Sequence, residues 1–196
     1  SEKGTLLYQR NPGGAPANVL AALAKLGKKT SFIGKVGNDK FGRFLFNVLR
    51  ENSIDTSGIV FSDNVNTTLA FVHLDDKGER SFSFYRNLGA DMMLTEDEVD
   101  LSLIDKTTVF HFGSISMTHE PVRSATLKAL KYASERGKFI SFDPNLRSSL
   151  WESLETAKEI IQTGIKFANL LKLSEEELEF LTGTSDLDES TGSLLA

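Results

Sequence analysis

The spacing of apolar positions changes several times along the chain, and each change marks a predicted element. Val19 to Leu26 is small or apolar almost throughout, which predicts a helix buried on most sides and entered through Asn11-Pro12-Gly13-Gly14-Ala15-Pro16-Ala17-Asn18. Pro16 suits the first turn of that helix, where a missing N–H costs nothing, and Gly27 is placed to end it. Thr5 to Gln9 and Thr30 to Gly34 read as short strands on either side. Asp39 is a predicted N-cap for a helix over Lys40 to Asn52, whose Phe41, Phe44, Leu45, Val48 and Leu49 recur at helical spacing. Strand, helix, strand, helix is the rhythm of a parallel α/β sheet.

The rhythm breaks at Thr67. Thr67 to Leu74 and Arg80 to Arg86 are β-rich runs joined by Asp75-Asp76-Lys77-Gly78-Glu79, a hairpin pattern in which Phe82 and Phe84 alternate with Ser81, Ser83 and Tyr85. A two-stranded ribbon is marginal alone, so it must pack on the main domain, a ligand or a second subunit. From Thr108 the α/β pattern resumes. Thr108 to Phe112 and Phe139 to Phe142 read as buried strands. Helices are expected over Glu120 to Arg136, with Val122, Ala125, Ala129 and Ala133 inward, and over Glu152 to Thr163. Ala168 to Leu173 reads as a strand, Ser174 to Leu181 as a helix closed by Gly183, and Ser185 to Ala196 as having no terminal element.

Composition narrows the function classes. In 196 residues the net charge is −5 and no block of Lys or Arg occurs, so nucleic acid and anionic membrane are poor partners. No cysteine is present, which removes disulfide frameworks and thiolate metal sites. The three histidines, His73, His111 and His119, lack metal-ligand spacing. A cytoplasmic enzyme or binding protein is expected.

In open α/β sheets ligands sit beyond the carboxyl ends of strands. Asp143-Pro144-Asn145-Leu146-Arg147 follows such a strand, and Arg147 could pair bidentately with a phosphate or carboxylate. Read plainly, Asp143 is a cap and Arg147 a surface residue. Lys172 ends the next strand, and Ser174 with Glu177 fits a capping box. A Lys for phosphate and a Glu that holds magnesium through water are compatible with that cap. Gly14 and Asn18 form a polar mouth on the first helix. No nucleophile elbow, phosphate-loop lysine or dinucleotide fingerprint occurs.

Together these motifs resemble the ribokinase-like carbohydrate kinase family, its fructokinase branch most closely. The resemblance rests on Gly13 to Asn18 with Gly27, Gly34 to Gly42, Thr67 to Val72, Phe84-Tyr85-Arg86-Asn87 with Gly89-Ala90-Asp91, Asp143 to Arg147, and Lys172 to Glu177. It runs from about residue 10 to 183. Leu20 stands at a position that is usually small, and Ser174 where many members have Asn. The resemblance implies one α/β domain over 1–196, a three-layer α/β/α sandwich incomplete at both ends, with an inserted β lid from about 5–10 and 59–90. It implies transfer of the ATP γ-phosphoryl group to a sugar hydroxyl, fructose to fructose 6-phosphate before other sugars.

On the same analogy Gly14, Asn18, Phe84 and Arg86 would bind the sugar, and Arg147 would stabilise charge during transfer. Lys172 and Glu177 would bind ATP, and Glu177 its Mg²⁺ through water, with a monovalent cation as a further possible requirement. A homodimer paired through the lid is expected, with neither nucleic acid nor membrane as partner. The family's first strand, with a sugar-binding Asp, and its Gly-Ala-Gly-Asp loop, with the catalytic base, are not in the sequence. The polypeptide by itself is therefore expected to be neither a competent kinase nor very stable. The rivals are a kinase for ribose, an aminoimidazole riboside or a keto-deoxy sugar acid, and a non-catalytic sugar-kinase-like binding module.

Overall fold

The computed structural model describes residues 7–74, 78 and 80–195. Its elements are α1 (Ala15–Lys25), β1 (Thr30–Gly37), α2 (Lys40–Glu51), β2 (Ile54–Ser62), β3 (Leu69–Leu74), β4 (Arg80–Tyr85), α3 (Leu101–Asp105), β5 (Val109–Phe112), α4 (Val122–Glu135), β6 (Phe139–Phe142), α5 (Leu154–Ile165), β7 (Leu170–Leu171), α6 (Glu175–Thr182) and α7 (Leu187–Leu195). Single 3-10 turns fall at Ala90–Met93, Glu96–Glu98, Ser114–Met117 and Ser148–Leu150. β1 and β2 pair in parallel, β5, β6 and β7 form a parallel sheet in that order, and β3 and β4 form an antiparallel hairpin.

One core serves both parallel sheets. Phe112 and Phe142, neighbours in register, stack with centroids 4.1 Å apart. Leu130 of α4, Ile140 and Ile161 of α5 close around them, with Ile33 of β1 and Val60 of β2 at the margin. Truncating a side chain such as Phe142 from this stack would cost about 3–5 kcal/mol. Val122, Ala125, Ala129 and Ala133 all face inward on α4, as their spacing predicted.

Asp39 joins three elements. Its Oδ1 accepts from the N–H groups of Phe41 and Gly42 at 2.9 and 2.8 Å, which caps α2. Thr67, at the hairpin's root, donates to the same carboxylate from its N–H at 2.8 Å and its hydroxyl at 2.9 Å. Burial opposes the charge, but these bonds outweigh it and hold the carboxyl below its ordinary value. The node tolerates no bulk: a Cβ on Gly42 would lie 2.0 Å from the Gly37 carbonyl oxygen.

Five expectations need correction. Helix α1 is apolar as read, yet none of its residues is buried, because among the described elements it packs chiefly on β1 and β2. Residues 59–62, expected in the lid, end instead a strand over 54–62 that pairs in parallel with β1; Gly58 and a register shift near Ser31 and Ile33 obscure its alternation. The predicted strand over 5–9 is not seen at residues 7–9, where Tyr8 instead sets its ring edge-on to Phe71 at 5.0 Å; residues 5 and 6 lie outside the described residues. Helix α7 forms where no element was expected, and its own Ser190 is fully buried. The strands β5 and β6 are only half buried: Val109 and Phe139 are 49% and 45% exposed. Hairpin residues 75–77 and 79 lie outside the described residues.

Candidate active site

At the carboxyl end of β6 the chain is fixed to its neighbours before it turns. The Asp143 N–H donates to the Phe112 carbonyl at 3.1 Å. The buried Pro144 offers its carbonyl to both the N–H and the hydroxyl of Ser114, at 3.1 and 2.7 Å, which ties the turn after β5 to the exit from β6. Asn145 has φ +48°, a left-handed conformation that Asn tolerates better than most residues. The turn delivers the Leu146 N–H to Glu177 Oε1 at 2.6 Å. Glu177 Oε2 accepts from the Ser174 N–H at 2.9 Å, and the Glu177 N–H donates to Ser174 Oγ at 3.2 Å. The expected capping box is present, and its carboxylate also holds the loop that carries Arg147.

Between these pieces lies a cleft of about 280 Å³ lined by Asn145, Leu146, Arg147, Lys172, Ser174, Glu176 and Glu177. Lys172 Nζ lies 3.3 Å from Asp143 Oδ1, with its side chain 64% exposed. So exposed a pair is worth at most about 1 kcal/mol, which leaves the ammonium available to an incoming anion. Arg147 donates to its neighbour's carbonyl at 3.1 Å, and its guanidinium stands 5.9 Å from the centre of the Phe82 ring on the hairpin. The two cations share this cleft, an arrangement suited to phosphate. Glu176 remains a carboxylate to low pH, because its own N–H and the Ser174 hydroxyl hold its pKa below the ordinary value. Behind the cleft, His111 meets Ser141 Oγ at 3.1 Å. Burial pushes the His111 pKa down, while the Asp143 charge acts against it.

The predicted residues thus divide. Arg147, Lys172 and Glu177 line one cleft. Gly14 and Asn18 stand exposed at the start of α1, Gly14 with φ +110°, and outside that lining. Phe84 is half buried on the hairpin, its ring 6.0 Å from that of Phe82. Arg86 is buried and already bonded to Asp91, Thr118 and the Ile115 carbonyl. Sequence reasoning quoted Asp91 and Asn145 within motifs without giving either a role, and did not find Thr118. A left-handed Asn after a Pro and an Asp five residues after an Arg carry local signals, but Thr118 depends on a contact across the fold. A larger groove of about 400 Å³, between α5 and α7, holds none of the predicted residues.

The family model described as pfkB family carbohydrate kinase matches residues 7–195. A probable fructokinase-2 from Arabidopsis thaliana is 49% identical over 184 residues, which are 94% of this chain and 56% of the relative. A fructokinase from Xylella fastidiosa, solved with bound ATP, superposes with a TM-score of 0.86 at 39% identity, covering 93% of this chain and 57% of that one. A fructokinase from Vibrio cholerae O395, solved with fructose, ADP and calcium ion, gives a TM-score of 0.87 at 36% identity, covering 96% and 60%. The expected ribokinase-like α/β fold is therefore the fold observed. The chain spans a little over half the length of the relatives it matches.

Proposed function

Because this chain belongs to the pfkB family of carbohydrate kinases, we propose that the full-length protein transfers the γ-phosphoryl group of ATP to a hydroxyl of fructose, giving fructose 6-phosphate. The observation that carries the reading is the convergence of Arg147, Lys172 and Glu177 on one cleft, in a chain about half identical to fructokinases over nine-tenths of its length. Phosphoryl transfer needs alignment and neutralised charge more than covalent help. Lys172, once released from Asp143, binds ATP phosphates. Arg147 stabilises the transferring group from a loop held by Glu177. Gly14 and Asn18 hold sugar hydroxyls, and Phe84 and Arg86 approach the sugar from the hairpin.

The donor set suits Mg²⁺. Both Glu177 oxygens already accept backbone N–H groups, but each keeps a lone pair for a metal-bound water. Among the described residues no three acidic or histidine side chains group to hold a metal. The site thus fits an ion carried mainly by phosphate oxygens and water, as Mg²⁺ is in phosphoryl-transfer sites. When bound, it neutralises charge on the phosphates. A monovalent cation is a further proposed cofactor.

The protein is read as cytoplasmic, and no helix among the described residues is long and apolar enough to cross a membrane. It is read as a homodimer joined through the lid hairpin, β3 and β4. Val72, Phe82 and Tyr85 on the hairpin are 50%, 46% and 68% exposed, apolar area that pairing would cover. The test is ADP release by the full-length protein with fructose, ribose, an aminoimidazole riboside and a keto-deoxy sugar acid. Fructose is expected to give the highest kcat/KM. No sugar-dependent release would remove the reading.

A further inference from the structure

The two faces of the hairpin are unlike. Phe82 and Phe84 lie two residues apart on β4, opposite Val72 and Ala70 of β3, so all four share one face. Tyr85 and Phe71 share the other, where their rings meet edge-on at 5.4 Å. On the first face the Phe82 and Phe84 rings lie nearly parallel, 14° apart in plane and 6.0 Å between centres. The Arg147 guanidinium of the main domain stands over the Phe82 ring, 5.9 Å from its centre, inside the range of about 6 Å in which a ring attracts a cation. The hairpin that carries this ring is held at its root, through Thr67 on Asp39 and through Arg86 on Asp91, Thr118 and the Ile115 carbonyl.

Little else orients Arg147. Its Nη1 donates to the Leu146 carbonyl at 3.1 Å, a bond to its own chain neighbour that constrains the guanidinium weakly. Among the described residues no carboxylate lies within ion-pair distance of it, whereas Lys172 is paired with Asp143. A carboxylate partner would hold the guanidinium but would also compete with phosphate for it. An aromatic ring attracts the charge without offering an acceptor oxygen, so it orients the cation and leaves N–H groups to donate. Arg147 lines the cleft and Phe82 does not. The ring therefore reaches the site only through the guanidinium.

We propose that Phe82 is a positioning residue for phosphoryl transfer: from the hairpin, its ring sets the Arg147 guanidinium at the phosphate cleft. The inference rests on the sugar-kinase reading above. Phe82 touches neither sugar nor phosphate; it acts through Arg147. The consequence is a coupling between the lid and the chemistry. Arg147 is steadied on one side by the loop that Glu177 holds and on the other by Phe82, so it takes its working position when the hairpin lies against the main domain. A cation placed in advance needs no reorganisation as charge builds up in the transition state, and the benefit appears in kcat. Phe84, half buried, supports the Phe82 ring from behind in the stack.

The experiment uses the full-length protein with its preferred sugar, ATP and Mg²⁺. Phe82→Leu keeps apolar bulk but removes the ring, and is expected to lower kcat roughly 3- to 10-fold, the factor carried by one partly exposed contact between a cation and a ring. KM for the sugar and for ATP should stay within about twofold of wild type, since the substrate contacts are untouched. Phe82→Tyr, which keeps the ring, should hold kcat within about twofold of wild type. Val72→Ala, across the ladder from Phe82, weakens the hairpin without altering the ring and should leave kcat near the wild-type value. In an Arg147→Ala background Phe82→Leu should have little further effect, since its route to the phosphate is already cut. An unchanged kcat in folded Phe82→Leu would overturn the proposal, as would a raised sugar KM at unchanged kcat, which would make Phe82 a sugar contact. So would an equal loss of kcat in Val72→Ala, or additive effects of Phe82→Leu and Arg147→Ala. A wild-type protein inactive on every sugar would instead sink the underlying kinase reading, and this inference with it.

Discussion

Replacing Asp39 by Ala would remove four hydrogen bonds in one step, and their separate costs can be worked out. Two of them cap α2, through the N–H groups of Phe41 and Gly42. Loss of an N-cap costs about 1 kcal/mol. The other two come from Thr67, whose N–H would be left half buried without its charged acceptor. That adds about 1–2 kcal/mol after allowance for partial solvent exposure. The expected loss for Asp39→Ala is therefore about 2–3 kcal/mol at neutral pH. Asp39→Asn keeps one acceptor for the cap but turns an amide toward the Thr67 N–H, and should lose about half as much.

The same carboxylate predicts a pH dependence. Although burial acts to raise its pKa, the hydrogen bonds prevail and the folded value lies below the ordinary 3.8. Between the two values the unfolded chain binds the proton and the folded protein does not, so stability rises with pH there. The advantage of wild type over Asp39→Asn should be complete above pH 3.8 and fade as pH falls through the lower, folded value. Urea unfolding of both proteins across that range is the assay. A difference below about 0.5 kcal/mol for Asp39→Ala, the size of an unremarkable surface substitution, would refute the reasoning. So would an advantage that grows toward acid.

Other substitutions test other parts of the account. Gly42→Ala should destabilise by more than about 2 kcal/mol, since its Cβ meets a backbone oxygen that cannot yield, whereas Gly192→Ala on α7 meets open space and should be neutral or slightly stabilising in the same unfolding assay. Arg147→Ala should lower kcat by a factor of about 100 or more in steady-state assays, with thermal stability little changed. Lys172→Met should mainly raise KM for ATP, because its only ion pair among the described residues is the exposed one to Asp143. Glu177→Gln keeps one oxygen for the backbone and should stay folded, yet need more Mg²⁺ for half-maximal activity. Glu177→Ala, which frees both the Leu146 and Ser174 N–H groups, should lower the melting temperature as well.

Local chemistry was the legible part. Asp39 as a cap, the Ser174–Glu177 box and the inward row on α4 depend on residues a few positions apart, and each is present. Gly183, with φ +85°, closes α6 as its place in the sequence predicted. Tertiary choices were not legible. Helix α1 carries the pattern of a buried helix, but pattern alone does not state how many elements reach it. β2 contains Asp55, Ser57 and Gly58 and pairs through a register shift, so no clean alternation marks it. Lys172 and Arg147 could be named from motif and strand end, and they do share a cleft. Asp91 stands five residues from Arg86 in the same motif, but the bonds of Arg86 to Thr118 and Ile115 could not be named, because that segment meets it only in the fold.

The most direct test of the central claim is the identity of the product formed by the full-length protein from fructose, ATP and Mg²⁺, read by phosphorus and carbon NMR. The account predicts stoichiometric ADP and fructose phosphorylated on its 6-hydroxyl. Phosphate on another hydroxyl, or ADP and inorganic phosphate with no phosphorylated sugar, would contradict it.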